Sequence, residues 1–374
     1  MTTRETYMTT RETMFKWIGG KKWLRVRLAE KTRELINNET TYIEPFVGGL
    51  GAFLAILPEL KQVNKIILND INKNIIEIYR LTKSNPESLI EKYLELELAF
   101  EKQATSISGD DVYDLPKDKI KEALGDDVSG NKKKMLKGAV LYFNNTKKIF
   151  NELKKKSNLS DEETLEISAT LIFLQSHSFN GIYRENLSGE YNVPFNWSPH
   201  TERKDRRVEI IRELSELFNK RNAIFENMDV FTLLDKYRSE NAFVYLDPPY
   251  LNTNENTIEE TSRLIADAWN ESEDIDDFKD AEKTLLYLNK GISKSENKYN
   301  KDHFGVNEQK KLLSRLVHGD WSFLYSNHEL STIIKYFDGA NLSHVILNRK
   351  NIISSKADGR GNDKEEILGW KRKM

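Results

Sequence analysis

Ala242-Phe243-Val244-Tyr245-Leu246-Asp247-Pro248-Pro249-Tyr250 is the stretch on which the reading of this chain turns. Five apolar residues in a row read as a short strand buried on both faces. The two prolines, which lack an N–H and fix φ, stop it abruptly. The Asp247 carboxylate and the Tyr250 ring are thus delivered together at the carboxyl end of a strand, where open α/β sheets bind their ligands. An acceptor beside an aromatic face suits a planar amino group, such as the exocyclic amine of a nucleobase. Asp-Pro-Pro-aromatic also occurs in plain turns, so the rest of the chain has to decide.

Upstream, Thr41-Tyr42-Ile43 reads as a strand, followed by Glu44-Pro45-Phe46-Val47-Gly48-Gly49-Leu50-Gly51. Glycines there open a helix and let a ligand approach the backbone at its N-terminus. Lys65-Ile66-Ile67-Leu68 is a second strand ending at Asn69-Asp70, with Asp70 placed 22 positions after Gly48 (70 − 48). A carboxylate at that point can accept both hydroxyls of a ribose. The glycines do not follow Gly-x-Gly-x-x-Gly, so a nucleoside site fits better than a pyrophosphate cradle, and a tight turn with a capping Asp is the plainer alternative. Phe15-Lys16-Trp17-Ile18-Gly19-Gly20-Lys21 precedes the first strand. Trp17 is available for stacking and Gly19-Gly20 for backbone contact, although a core Trp beside a turn would look the same.

Helical periodicity covers residues 74–82 (Ile75, Ile78 and Tyr79 on one face), 165–174 and 207–218. Further strands are expected at 224–225, 321–325, 345–347, 352–353 and 367–368. Strands alternating with helices predict an α/β chain with a Rossmann-like, doubly wound, mostly parallel sheet. Residues 182–195 read as a hairpin turning at Ser188-Gly189. The expected organisation is a disordered leader (1–13, with a direct Met-Thr-Thr-Arg-Glu-Thr repeat), a sheet domain in two parts (14–72 and 206–374), and an inserted, mainly helical domain (73–205) carrying the hairpin. An acidic insertion at 255–295 follows the Asp-Pro-Pro-Tyr segment.

The 374 residues, 38% hydrophobic and 31% charged, suffice for a large core and two domains. With no cysteine, disulfides, thiolate nucleophiles and cysteine-bound zinc are excluded. Six scattered histidines show no metal-ligand spacing, so no metal is expected. No apolar run is long enough to span a bilayer and no signal-peptide pattern is present, so a cytoplasmic location away from membranes is expected. A net charge of −2 means that any nucleic-acid binding must use local patches. Residues 131–156, with Lys132, Lys133, Lys134, Lys137, Lys147, Lys148, Lys154, Lys155 and Lys156, offer one. Phe179, Asn180, Arg184, Asn192 and Trp197 cluster around the hairpin. Asn and Arg can read purine edges bidentately, and an exposed aromatic can wedge between bases. A polar hairpin with one packed Phe is the alternative.

In their order these segments resemble the Dam-type (class alpha, D12) DNA adenine-N6 methyltransferases. The resemblance is carried by residues 15–21, 42–53 with Asp70, 179–195 and 244–250. Ser326-Asn327-His328 and 349–355 with Arg360 and Glu366 match closing segments, and the whole spans 14–370 apart from much of 83–160 and 255–295. It implies a methyltransferase fold with an inserted target-recognition domain, S-adenosyl-L-methionine as methyl donor and double-stranded DNA as substrate. A homodimer and a cognate restriction system are further partners such a chain could have. Carried over, Trp17, Gly20, Phe46, Gly48, Asp70 and Asp247 would contact the cofactor, with Lys21 near its methionine end. Asn227, Met228 and Asp229 would wall its adenine. Asp247, Pro248, Pro249 and Tyr250 would be catalytic on a flipped adenine. Lys16, Phe179, Asn180, Ile182, Arg184, Asn192, Pro194 and Trp197 would contact DNA.

Two positions depart from the family pattern. Leu50 stands where a second glycine is usual. Trp197 stands where GATC-specific members carry an arginine, and tryptophan cannot make a bidentate contact to guanine. The reading therefore expects a relaxed or different site preference. Enzymes of the same fold acting on RNA or on protein glutamine, and a DNA-binding homologue that no longer catalyses, are the rival readings.

Overall fold

The computed structural model describes residues 12–17, 21–106, 130–186, 188–196, 204–249, 304, 306–328, 331–350 and 363–373. The expected leader, Gly20, Trp197, Tyr250, the acidic insertion and the strand at 352–353 lie wholly or almost wholly outside them. The chain is mixed α/β, and among the described residues its seven strands pair mostly in parallel. In chain order the elements are α1 (Arg25–Leu35), β1 (Thr41–Glu44), α2 (Gly51–Ile56), β2 (Lys65–Asn69), α3 (Lys73–Ser84), α4 (Pro86–Ser106), α5 (Gly130–Lys154) and α6 (Asp161–His177). They continue with α7 (Lys204–Lys220), β3 (Ile224–Glu226), α8 (Val230–Lys236), β4 (Ala242–Leu246), α9 (Val306–His318), β5 (Ser322–His328), α10 (Ser331–Gly339), β6 (Ser343–Lys350) and β7 (Asp363–Lys371). Two compact units share them: residues 1–30 with 47–229, and residues 31–46 with 230–374.

In the first unit β2 and β3 pair in parallel, with Ile67 opposite Ile224. The stripe predicted on α3 is buried: Ile75, Ile78 and Tyr79 are fully enclosed, and the Tyr79 ring meets Phe15, Phe218 and Phe225. α3 starts where it does because the Asn72 side chain accepts the Asn74 N–H at 3.1 Å. Helices α4, α5 and α6 pack together around an aromatic cluster of Phe100, Tyr142, Phe143, Phe173 and Phe195. α6 runs beyond its apolar stretch at both ends. Ser160 and Glu163 form a reciprocal capping box that starts it four residues before the first predicted position.

In the second unit the strand order is β1-β4-β5-β7-β6, parallel from β1 to β5 and antiparallel at β7 and β6. All five residues of β4 are buried, as expected for a strand flanked by parallel neighbours and covered on both faces. Leu312, Leu313 and Leu316 of α9 are buried, as are Ile333 and Phe337 of α10. The Phe337 ring lies where a side chain at position 369 would stand, so only Gly369 fits there. Among the described residues no helix is long and apolar enough to cross a membrane.

Candidate active site

The turn after β1 is built around Gly48. Its N–H donates to Asp70 Oδ2 at 2.9 Å and its carbonyl accepts the buried Tyr79 hydroxyl at 2.6 Å. Asp70 Oδ1 takes the Asn72 N–H at 2.9 Å. Gly48 has φ +45°, and a Cβ there would fall 2.7 Å from Trp17 Nε1, so both conformation and space demand glycine. A Cβ on Gly49 would likewise meet Trp17 Cβ at 2.9 Å. Leu50, the departure from the family pattern, adopts φ 69°, ψ 9°. A leucine thus takes the left-handed conformation that a glycine would favour, at a cost of roughly 1–2 kcal/mol, while its fully buried side chain offsets the strain.

Trp17 does more than roof these glycines. Its other contact is Tyr183 of the hairpin, with centroids 5.6 Å apart and planes 20° from parallel. Lys21 opens the 3₁₀ turn before α1 and is buried. Asn227 donates to the backbone carbonyls of Asp70 and Ile71 at 2.8 and 3.0 Å. Met228 is held through its backbone by Asn69, whose amide both accepts from Met228 N (3.1 Å) and donates to Met228 O (3.0 Å). Asp229 is exposed. Asp70, Asn227 and Met228 therefore form one connected group at the carboxyl ends of β2 and β3. Asn69, unmarked by the sequence reading beyond ending a strand, ties it together.

Burial raises the Asp70 carboxyl to about 6, against the pull of the Asn72 and Gly48 N–H groups, which favour the charged form. It is ionised at neutral pH and acts as an acceptor only. Each oxygen takes one backbone N–H and keeps lone-pair capacity for another donor. This pair of acceptor oxygens thus fits a ribose diol, whose two hydroxyls donate.

In the second unit β4 ends in Asp247-Pro248-Pro249. Ser326 Oγ donates to Asp247 Oδ1 at 3.4 Å and stands 2.8 Å from the Tyr245 hydroxyl. Burial, reinforced by Asp247, holds the Tyr245 phenol well above its usual range, so it stays protonated. The Pro248 carbonyl accepts Asn327 Nδ2 at 3.3 Å, and the Pro249 carbonyl accepts Gln309 Nε2 at 3.0 Å. Phe46 is half-buried, with its ring edge-on to Phe304 at 5.5 Å. Gln309 had no signal in the sequence, because a glutamine in a polar helix looks like any solvated residue.

The predicted hairpin closes through two antiparallel bridges, Ser178–Phe195 and Glu185–Tyr191. Asn186 shapes its tip by accepting the Ser188 and Glu190 N–H groups. At its base Phe179 is 48% exposed and Asn180 is left-handed and exposed. Pro194 is also exposed and Ile182 half-buried. Lys16 lies alongside, its Cδ 3.5 Å from where a Gly181 Cβ would stand. Arg184 Nε donates to Asn192 Oδ1 at 2.9 Å, so these two residues form a pair. α5 holds the return arm: Asn151 bonds both backbone groups of Tyr191, and Lys154 donates to the Gly189 carbonyl. Four lysines of the basic stretch are already engaged with carboxylates: Lys148 with Glu152, Lys154 with Glu185, Lys155 with Glu190 and Lys156 with Glu163.

A family model described as D12 class N6 adenine-specific DNA methyltransferase matches residues 17–267. This chain belongs to that family. Over 357 residues it is 28% identical to the Type II methyltransferase M.MjaIII of Methanocaldococcus jannaschii, covering 94% of this chain and 96% of the relative. It is 26% identical over 243 residues to the Type II methyltransferase M1.LlaDCHI of Lactococcus lactis subsp. cremoris, covering 64% and 66%. A DNA adenine methylase of Vibrio cholerae is 23% identical over 243 residues, 65% and 66% of the two chains. Membership makes the protein an adenine-specific DNA methyltransferase by family. Among the described residues no group of three or more His, Asp or Glu is arranged to hold a metal ion.

Proposed function

We propose that this D12 methyltransferase moves the methyl group of S-adenosyl-L-methionine to N6 of an adenine flipped out of double-stranded DNA. The observation that carries the reading is the end of β4. There a carboxylate and a backbone carbonyl, Asp247 and Pro248, stand on consecutive residues, each held by a side chain of β5. These two acceptors would accept hydrogen bonds from the two N6–H groups, one of whose protons would leave once the methyl group has been transferred. The pair of hydrogen bonds draws the nitrogen lone pair out of conjugation with the ring, and placement of this kind supplies most of the acceleration expected for direct transfer. N6 cannot be reached within the base stack, so the adenine has to leave it, and Tyr250 would stack on the extruded base.

When bound, S-adenosyl-L-methionine supplies an electrophilic methyl group on a sulfonium. Asp70 would accept its ribose hydroxyls, with Trp17, Gly20, Lys21, Phe46, Gly48, Asn227, Met228, Asp229 and Asp247 as further contacts. Residues 73–205 would form the target-recognition domain. Phe179 would enter the duplex beside the flipped base, with Asn180 behind it. Arg184, oriented by Asn192, would read a guanine; Ile182 and Pro194 would meet a thymine methyl; and Lys16 would contact a flanking base. Trp197 in place of arginine favours a site other than, or looser than, GATC.

Single-molecule sequencing of plasmid from a methylation-deficient host expressing this chain tests the reading. N6-methyladenine at one short motif is expected, and its loss with Asp247→Ala, by at least about 10³-fold, while most of the S-adenosylmethionine affinity remains. Unmodified plasmid from cells making the wild-type protein, or full activity of the variant, would overturn it.

A further inference from the structure

We propose that Gln309 is a positioning residue for methyl transfer, acting on the Asp247-Pro248-Pro249 loop through the Pro249 carbonyl; this rests on the function proposed above. A strand that ends in two prolines forfeits two consecutive N–H donors. At the two prolines the loop can then be anchored only through acceptors, and all three residues are held through an acceptor. Ser326 donates to Asp247 (3.4 Å), Asn327 to the Pro248 carbonyl (3.3 Å) and Gln309 to the Pro249 carbonyl (3.0 Å). The first two donors come from β5, the strand beside β4, so sheet register alone carries them there. Gln309 comes from α9 and adds a constraint from outside the sheet.

The direction of this constraint is fixed. Gln309 is buried, and its Oε1 accepts the Tyr325 hydroxyl at 2.6 Å. A phenol in that buried place stays protonated and is the donor, so the amide must present its NH₂ to Pro249. The Pro249 carbonyl shares a rigid peptide plane with the nitrogen of residue 250. Holding that carbonyl fixes the orientation of Pro249 and restrains the Pro248 carbonyl that precedes it. A buried amide is costly unless it is bonded, and both ends of this one are. It acts on the loop and touches neither base nor methyl donor.

The test uses the full-length chain, a methylatable duplex and radiolabelled S-adenosylmethionine under single-turnover conditions. Gln309→Met keeps the volume and removes both bonds. Gln309→Glu keeps the shape and the acceptor for Tyr325 but removes the donor to Pro249. Both should lower the single-turnover rate constant about tenfold or more. The single-turnover amplitude, cofactor Kd and duplex Kd should stay near wild type. Tyr325→Phe, which unfixes the Gln309 amide and removes a partner of Asn327 but keeps both donors to the loop, should cost less. A wild-type rate constant in Gln309→Glu, or a loss confined to the single-turnover amplitude, would show Gln309 to be merely a satisfied core residue and overturn the proposal. If the wild-type chain itself methylates no duplex, the functional reading falls and this one with it.

Discussion

Lowering the pH from 7.5 to 5.0 should weaken S-adenosylmethionine binding about tenfold through Asp70 alone. Burial raises this carboxyl from the ordinary 3.8 to about 6. About 97% of it is ionised at pH 7.5 and about 9% at pH 5.0, and the ratio of those fractions sets the loss if only the carboxylate accepts the ribose hydroxyls. The assay is isothermal titration between pH 4.5 and 7.5 on the wild type and Asp70→Asn. The variant should bind more weakly at pH 7.5, by about ten- to a hundredfold for one or two charge-assisted bonds, and its affinity should be flat across the window. Stability should move the other way. Because the folded value lies above the unfolded one, the folded chain holds the extra proton between pH 3.8 and about 6. The stabilisation from Asp70 is fully present below 3.8 and lost as pH rises through about 6, on the order of 3 kcal/mol at most. The wild type should therefore gain stability relative to Asp70→Asn over the same fall in pH that costs it cofactor. Opposite signs separate a site effect from general acid unfolding. A wild-type binding curve as flat as the variant's would refute the assignment of Asp70.

Gly48→Ala should lower thermal stability by about 2–4 kcal/mol, combining left-handed strain with displacement of the Trp17 indole, whose Nε1 lies 2.7 Å from the new Cβ; an unchanged melting temperature and tryptophan emission would show that the turn is differently built. Asn192→Ala removes the acceptor that orients Arg184 and, on the proposed reading of a guanine by Arg184, should cut discrimination at that base by about tenfold, measured by competition between the preferred duplex and its single-base variants. Equal discrimination in both proteins would mean that Arg184 needs no support from Asn192.

The elements that carry the proposed chemistry were legible because local rules govern them. A buried five-residue run stopped by two prolines reads as a short interior strand, and β4 ends at Leu246. Asp70 follows the last residue of β2, and α3 buries the stripe read from its periodicity. Ends were less legible where side chains reach out to cap them, as Ser160 and Glu163 do for α6. Leu94, Leu96, Leu98 and Phe100 follow no clean helical stripe, yet they lie in one helix, α4, with Leu98 half exposed, because packing on α5 and α6 outweighs an imperfect stripe.

What the sequence determined by itself is therefore the fold class, the strand order of the chemistry along the chain, and the acceptors at strand ends; each depends on residues within a few positions of one another. What only the tertiary structure decided is how those groups are held. Asn69 binds Met228 across 159 positions, Ser326 and Asn327 reach Asp247 and Pro248 across 79, and Gln309 reaches Pro249 across 60. Leu50 keeping a glycine's conformation, and Trp17 stacking on Tyr183, belong with these. A hydrogen bond or stacked pair depends on where two distant segments meet in space, and no periodicity or composition in either segment records that meeting.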